Sequence, residues 1–145
     1  MFFGNFNHNL DNKGRMVVPS RFRPTVGEKA KVFIIEGFEG CISIYPQTHF
    51  DTLIEKLKSY EFTSSNDRAY LRNIYASIVE LEVDSHNRLS LPKAVLEHYK
   101  ISSDVTIVGV GDHFEVWNRS EFESYRSNTS QNLATIADKL GGHRE

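Results

Sequence analysis

The sequence predicts an α+β fold in which one unit, strand–turn–strand–helix–strand–strand, is used twice around a shared core. Three observations carry this. Residues 11–19 read Asp-Asn-Lys-Gly-Arg-Met-Val-Val-Pro and residues 84–92 read Asp-Ser-His-Asn-Arg-Leu-Ser-Leu-Pro, so D-x-x-x-R-x-x-x-P recurs at an offset of 73. The flanks repeat as well: Phe6, His8 and Leu10 correspond to Val79, Leu81 and Val83. Further on, Phe33-Ile34-Ile35 corresponds to Thr106-Ile107-Val108. Finally, Gly14 and Asn87 stand at the same place in the two motifs, and these residue types tolerate the left-handed conformation a tight turn demands. With each fixed residue at roughly 5–6% of positions, one copy would arise in about 2% of chains this long. Two in matching surroundings are far rarer.

The elements follow in order. Val79-Glu80-Leu81-Glu82-Val83 alternates apolar and charged residues, the period of a half-buried strand. Met16-Val17-Val18 and Leu89-Ser90-Leu91 supply a second strand in each half, with the middle of the motif as the turn joining the pair into a hairpin. Pro19 and Pro92 suit the first position of a short helix. Val18 and Leu91 before them are poor caps, so irregular starts are expected. Two more apolar strands complete each unit, Ile42-Ser43-Ile44-Tyr45 matching Phe114-Glu115-Val116-Trp117 after a one-residue deletion, and Phe50 matching Phe122. Two helices join the halves. One opens at a capping box, Thr48-x-x-Asp51, and carries Phe50, Leu53, Ile54 and Leu57; the other runs from about Asn66 with Leu71, Ile74, Tyr75 and Ile78 on one face. A last helix opens at Ser120-x-x-Glu123 and continues to Leu133, Ile136, Ala137 and Leu140 beyond a polar patch at 127–132 that reads as a break or hinge. Gly141-Gly142 ends it ahead of a short tail. The expected divisions are 1–50, 51–77, 78–122 and 123–145.

Composition narrows the function. An apolar content of 39% in 145 residues is enough for a core, which excludes a wholly disordered chain. The single cysteine, Cys41, excludes an intramolecular disulfide framework and a cysteine-based zinc site, and its run Cys41-Ile42-Ser43-Ile44-Tyr45 reads as a buried strand. Met1-Phe2-Phe3 is too short for a signal segment and no apolar stretch is long enough to span a membrane, so a cytoplasmic protein is expected. The net charge is −2, yet residues 1–31 alone carry +4, from Lys13, Arg15, Arg21, Arg23, Lys29 and Lys31 against Asp11 and Glu28. A basic end on an acidic body is compatible with a nucleic-acid footprint and equally with a solvated face.

The motif has its own chemistry. An Asp and an Arg four residues apart across a tight turn can pair, and a carboxylate facing phosphate would be repelled, so Asp11 and Asp84 read as turn-pinning groups. Arg15 and Arg88 remain open between that structural role and DNA contact, because a guanidinium presents a planar fork to phosphate or to the O6/N7 edge of guanine. Catalysis finds little support. None of His8, His49, His86, His98, His113 and His143 has metal-ligand spacing, Gly109-Val110-Gly111 is half of a dinucleotide fingerprint and reads as a turn between strands, and no nucleophile–base set is visible. No cofactor, metal or small-molecule substrate is expected.

The opening Met1-Phe2-x-Gly4, the run Asp11 to Pro19, the following Arg21-Phe22-Arg23, the second motif at Asp84 to Pro92 and the segment Val108-Gly109-x-Gly111-x-x-x-Phe114-Glu115-Val116-Trp117 together resemble the MraZ family of transcriptional regulators. The resemblance spans essentially the whole chain, and its specificity lies in the paired motif. It implies a fold related to the AbrB and SpoVT regulators, a swapped-hairpin barrel with both halves in one chain. It also implies ring-shaped homo-oligomers on the nucleoid that bind short tandem repeats in double-stranded DNA upstream of a division and cell-wall gene cluster. Arg15 and Arg88 then become the DNA-contacting positions, flanked by Asn12, Lys13 and His86, with Asp11, Gly14, Pro19, Asp84, Asn87 and Pro92 shaping the turns. The second copy departs from the usual pattern, since His86 and Asn87 replace Lys13 and Gly14 and a titratable group takes the place of a fixed charge. The rival reading, an antitoxin-like interaction module or oligomeric scaffold on the same fold, fits less well: such proteins resemble one half with a disordered tail, and this chain fuses two halves and ends soon after a helix.

Overall fold

The computed structural model describes residues 1–141. The expected tail and its leading Gly142 lie outside the described residues, as does His143. Eight strands are formed: β1 (Asn5–Asn9), β2 (Arg15–Val17), β3 (Lys31–Glu36), β4 (Ile42–Pro46), β5 (Val79–Glu82), β6 (Arg88–Ser90), β7 (Asp104–Gly109) and β8 (Phe114–Asn118). Six helices accompany them: α1 (Arg23–Val26), α2 (Gln47–Leu57), α3 (Ser65–Ser77), α4 (Lys93–His98), α5 (Arg119–Ser130) and α6 (Leu133–Gly141). The class is α+β, with antiparallel pairing throughout.

Pairing partners differ from a simple hairpin reading. β1 and β2 are joined by the expected turn but do not pair with each other. β1 pairs with β7, β5 with β3, and β2 with β6, each partner lying in the opposite half. The six-stranded sheet runs β1-β7-β8-β4-β3-β5, and β2-β6 forms a separate two-stranded ribbon. Among the described residues no ladder closes the sheet edges β1 and β5 onto one another, so the hydrogen-bonded sheet is open rather than a closed barrel. The cause is burial. Met16 and Leu89 are wholly buried at the centre of the ribbon, and Val18 and Leu91 just beyond are nearly so. Three-residue strands reach the common core only by crossing over to each other.

The core belongs to both halves. Phe2, Phe22 and Phe114 meet at ring-centroid distances of 5.0–5.3 Å, surrounded by Met16, Leu89, Val32, Ile34, Val105 and Ile107. Gly109 makes room for the N-terminus. A Cβ there would lie 2.3 Å from the Phe3 nitrogen, and the Phe2 N–H donates to the Gly111 carbonyl at 2.8 Å. The sequence reading placed all of Gly109-Val110-Gly111 in a turn; Gly109 instead ends β7, and its missing side chain serves close backbone approach. Cys41 is fully buried, as expected, though it precedes β4. A second cluster, Ile35, Leu57, Leu71 and Ile74, holds α2 and α3 on the sheet, with Phe33 stacked on Phe50 at 3.8 Å. Across the repeat, Trp117 packs on Phe122 and Tyr125 of α5.

Several caps fall elsewhere than expected. Pro46 precedes α2, so Thr48 lies inside the helix and bonds the Thr52 hydroxyl through its carbonyl rather than forming a capping box. α5 starts one residue ahead of Ser120, because Asn118 accepts from the Glu121 N–H. α3 is capped by Ser64, which accepts from the Asp67 N–H, a side-chain cap not anticipated. Pro19 and Pro92 sit just before their helices with extended ψ of 138° and 140°, continuing the strand before them; the first helix begins as a 3-10 turn over Ser20–Phe22. The break expected at 127–132 falls at 131–132, where Thr129, Ser130 and Asn132 bond back to preceding carbonyls and compete with the helix.

Candidate nucleic-acid interface

The two motifs have nearly superposable bonding. The Asp11 carboxylate accepts the Lys13 and Arg15 backbone N–H groups, each at 2.9 Å, through one oxygen, and the Arg15 Nε at 2.6 Å through the other. Asp84 does the same with His86 N–H at 2.8 Å, Arg88 N–H at 2.9 Å and Arg88 Nε at 2.8 Å. Gly14 at φ +73° and Asn87 at φ +59° take the left-handed position, each donating to its Asp carbonyl at 3.0 Å. An Asx turn pinned by its own arginine is therefore written twice.

Electrostatics follow the bonding. The Arg15 backbone N–H, its guanidinium and the Lys13 N–H together hold Asp11 down at about 2, well below a free carboxyl, against partial desolvation. For Asp84, desolvation is the largest single influence and raises the pKa. The Arg88 backbone N–H, the Arg88 guanidinium and the His86 N–H outweigh it, and the net shift is downward. Both carboxylates are ionised at neutral pH and already committed to neighbours.

That arrangement bears on the choice left open for the arginines. Each Asp engages only Nε, and among the described residues no hydrogen bond occupies the Nη groups of Arg15 or Arg88. Both side chains retain 26% exposure. The structural bond and an outward-facing fork coexist in the same residue.

The ribbon places the forks on one face. Arg15 pairs with Ser90, Met16 with Leu89, and Val17 with Arg88. Strand alternation turns Met16 and Leu89 inward and leaves Arg15, Val17, Arg88 and Ser90 outward. Further bonds from Leu91 N–H to the Gly14 carbonyl at 3.1 Å and from Val18 N–H to the Asn87 carbonyl at 2.8 Å set one turn at each end of the ribbon. The turn tips carry exposed Asn12 and Lys13 at one end, Ser85 and His86 at the other. Pro19 and Pro92 lie behind the ribbon, leading into the core through Phe22 and Leu96.

One residue not singled out from sequence joins the surface. Lys93 of α4 lines an open groove of about 700 Å³ together with Asp11, Lys13, Gly14, Ser102 and Ser103. No sequence signal could have linked Lys93 to Lys13, because the pairing of β2 with β6 brings them together. Among the described residues no three His, Cys, Asp or Glu side chains gather as a metal site would require. Among the described residues, likewise, no helix is long and apolar enough to cross a membrane.

Comparison with known proteins gives one answer. The family model described as "MraZ protein, putative antitoxin-like" matches twice, over residues 1–73 and 74–142. The chain is 36% identical to the transcriptional regulator MraZ of Acetivibrio thermocellus, covering 97% of this chain and 96% of that one. It is 34% identical to the protein of the same name from Desulforamulus reducens, over 97% of each chain. The Lactiplantibacillus plantarum relative is 35% identical over 97% of this chain and 98% of its own. A duplicated Asx-turn motif, a ribbon built from both copies and full-length similarity lead to one conclusion: this chain belongs to the MraZ family of transcriptional regulators.

Proposed function

We propose that the protein regulates transcription by binding double-stranded DNA, with the β2–β6 ribbon and its two turns as the contacting surface. The observation that carries the reading is that Arg15 and Arg88 are held at Nε by Asp11 and Asp84 while, among the described residues, no hydrogen bond occupies their Nη edges on the outer face. A two-stranded antiparallel ribbon fits the width of the major groove, and a guanidinium fork pairs with guanine or phosphate. Holding the arginine in place beforehand lowers the entropy lost on binding. Asn12, Lys13 and His86 at the turn tips, and Lys93 beside Lys13, are placed for the phosphates on either side. The proposed sites are short tandem repeats upstream of a division and cell-wall gene cluster. The chain is read as two AbrB-like swapped-hairpin halves (1–50 and 78–122) linked by 51–77 and followed by 123–145. Self-association into a ring on the nucleoid would set several ribbons against successive repeats, multiplying modest contacts into useful affinity.

Fluorescence anisotropy with a tandem-repeat promoter duplex at several salt concentrations tests this. Affinity should fall as salt rises, because counterions are released on binding. Arg15→Ala should weaken binding by about 1–3 kcal/mol, roughly five- to 150-fold, with fold and assembly unchanged. If Arg15→Ala unfolds the protein while the wild type ignores DNA, the arginines are braces and the reading fails.

A further inference from the structure

The outer face of the ribbon is not symmetric, although the fold that builds it nearly is. Directly across from Arg15 stands Ser90, and directly across from Arg88 stands Val17. Both opposing residues are exposed, Val17 at 39%. This exposed branched aliphatic side chain stands two residues from Arg15 and across from Arg88, outside the core that Met16 and Leu89 fill beneath it. Opposed residues on a ribbon face lie about 5 Å apart and diagonal ones about 7–8 Å. The Arg15 and Arg88 positions are diagonal. Their side chains thus start roughly two base-pair steps apart at ~3.4 Å per step, within reach of neighbouring bases in one groove.

Resting on the DNA-binding reading above, we propose that Val17 and Ser90 are specificity-determining residues, with Val17 seated on the C5-methyl group of a thymine. The floor of the major groove offers one apolar feature, that methyl group, and aliphatic side chains recognise it by contact. Ser90 supplies a hydroxyl that donates to or accepts from a base edge at the matching place beside Arg15. One end of the ribbon therefore reads with a guanidinium and a methyl-seeking side chain, the other with a guanidinium and a hydroxyl. A pseudo-twofold surface with unlike ends favours one orientation on DNA. It matches direct repeats, in which every site points the same way, better than palindromes.

The test starts from the tightest duplex that the wild-type protein selects from a random-sequence pool, with each thymine replaced in turn by deoxyuridine. Deoxyuridine removes the methyl group and leaves the base-edge hydrogen bonds unchanged. The expected result is one position, in each site, at which the replacement weakens binding by about fourfold, the equivalent of one buried methyl-sized group. Val17→Ala should bind thymine and deoxyuridine duplexes equally, with its thermal midpoint near that of the wild type. The double exchange V17S/S90V should shift the sensitive position to the other end of the site. Wild-type indifference to every deoxyuridine duplex overturns the proposal and leaves DNA binding intact, as does a Val17→Ala protein that still discriminates. A wild-type protein that selects no duplex overturns the DNA reading itself. The DNA arm needs no altered protein, so poor folding of a variant does not blunt it.

Discussion

At the residue scale, Asp11 and Asp84 each gather two backbone N–H groups and a guanidinium, and their behaviour in acid follows. A carboxyl whose pKa is lower folded than unfolded contributes stability above the unfolded value and loses it as pH falls through the folded one. For Asp11 the window runs from 3.8 down to about 2, and Asp84 shifts in the same direction. Unfolding midpoints should be insensitive to these groups above pH 5 and drop between pH 4 and 2; Asp11→Asn, which keeps the acceptor oxygen and removes the charge, should shrink that drop. A separate test concerns the turn itself. A Cβ at Gly14 would lie 3.1 Å from Leu96 Cδ1 at φ +73°, so Gly14→Ala should cost about 1–3 kcal/mol in denaturant titration. The turn was legible from sequence because it is local: one carboxylate, one residue able to take positive φ, and three residues between anchor points. The outward Nη edges were not, since deciding between brace and reader needs the direction in which a side chain leaves the ribbon.

Element by element, agreement tracks how local the determining contacts are. Strand alternation over Val79–Val83 and the apolar runs at 33–35 and 106–108 marked the strands correctly, because periodicity reports which face is buried. It does not report against what, so β1–β2 read as a paired hairpin when each strand pairs in the other half. Caps missed for a related reason: Asn118 and Ser64 act through the local backbone path, which a spacing pattern such as Ser120-x-x-Glu123 does not fix. Ser64→Ala should cost about 1 kcal/mol of stability, measured by chemical denaturation. The turn tips offer a check on DNA binding. Lys13→Ala should lower the slope of log affinity against log salt by about one, as loss of a single phosphate contact requires. His86→Lys should raise affinity modestly, and an unchanged value would remove the case for unequal tips.

On the scale of the whole molecule, the four cross-half ladders β1–β7, β2–β6, β3–β5 and β4–β8 make two sequence repeats one cooperative unit. Calorimetry should show a single transition, and residues 1–73 expressed alone should be unfolded or pair with a second copy to rebuild the missing ladders. The duplicated motif made the unit visible in sequence, while the open sheet edges became visible only with the pairings in place. That exchange of strands also constrains how such a molecule changes over generations. Any substitution on the inward side of one lobe must be accommodated by the other, so neither lobe drifts alone. The outward pair Val17 and Ser90 escapes that joint veto, and it is there that a duplicated gene is free to make its two copies unlike.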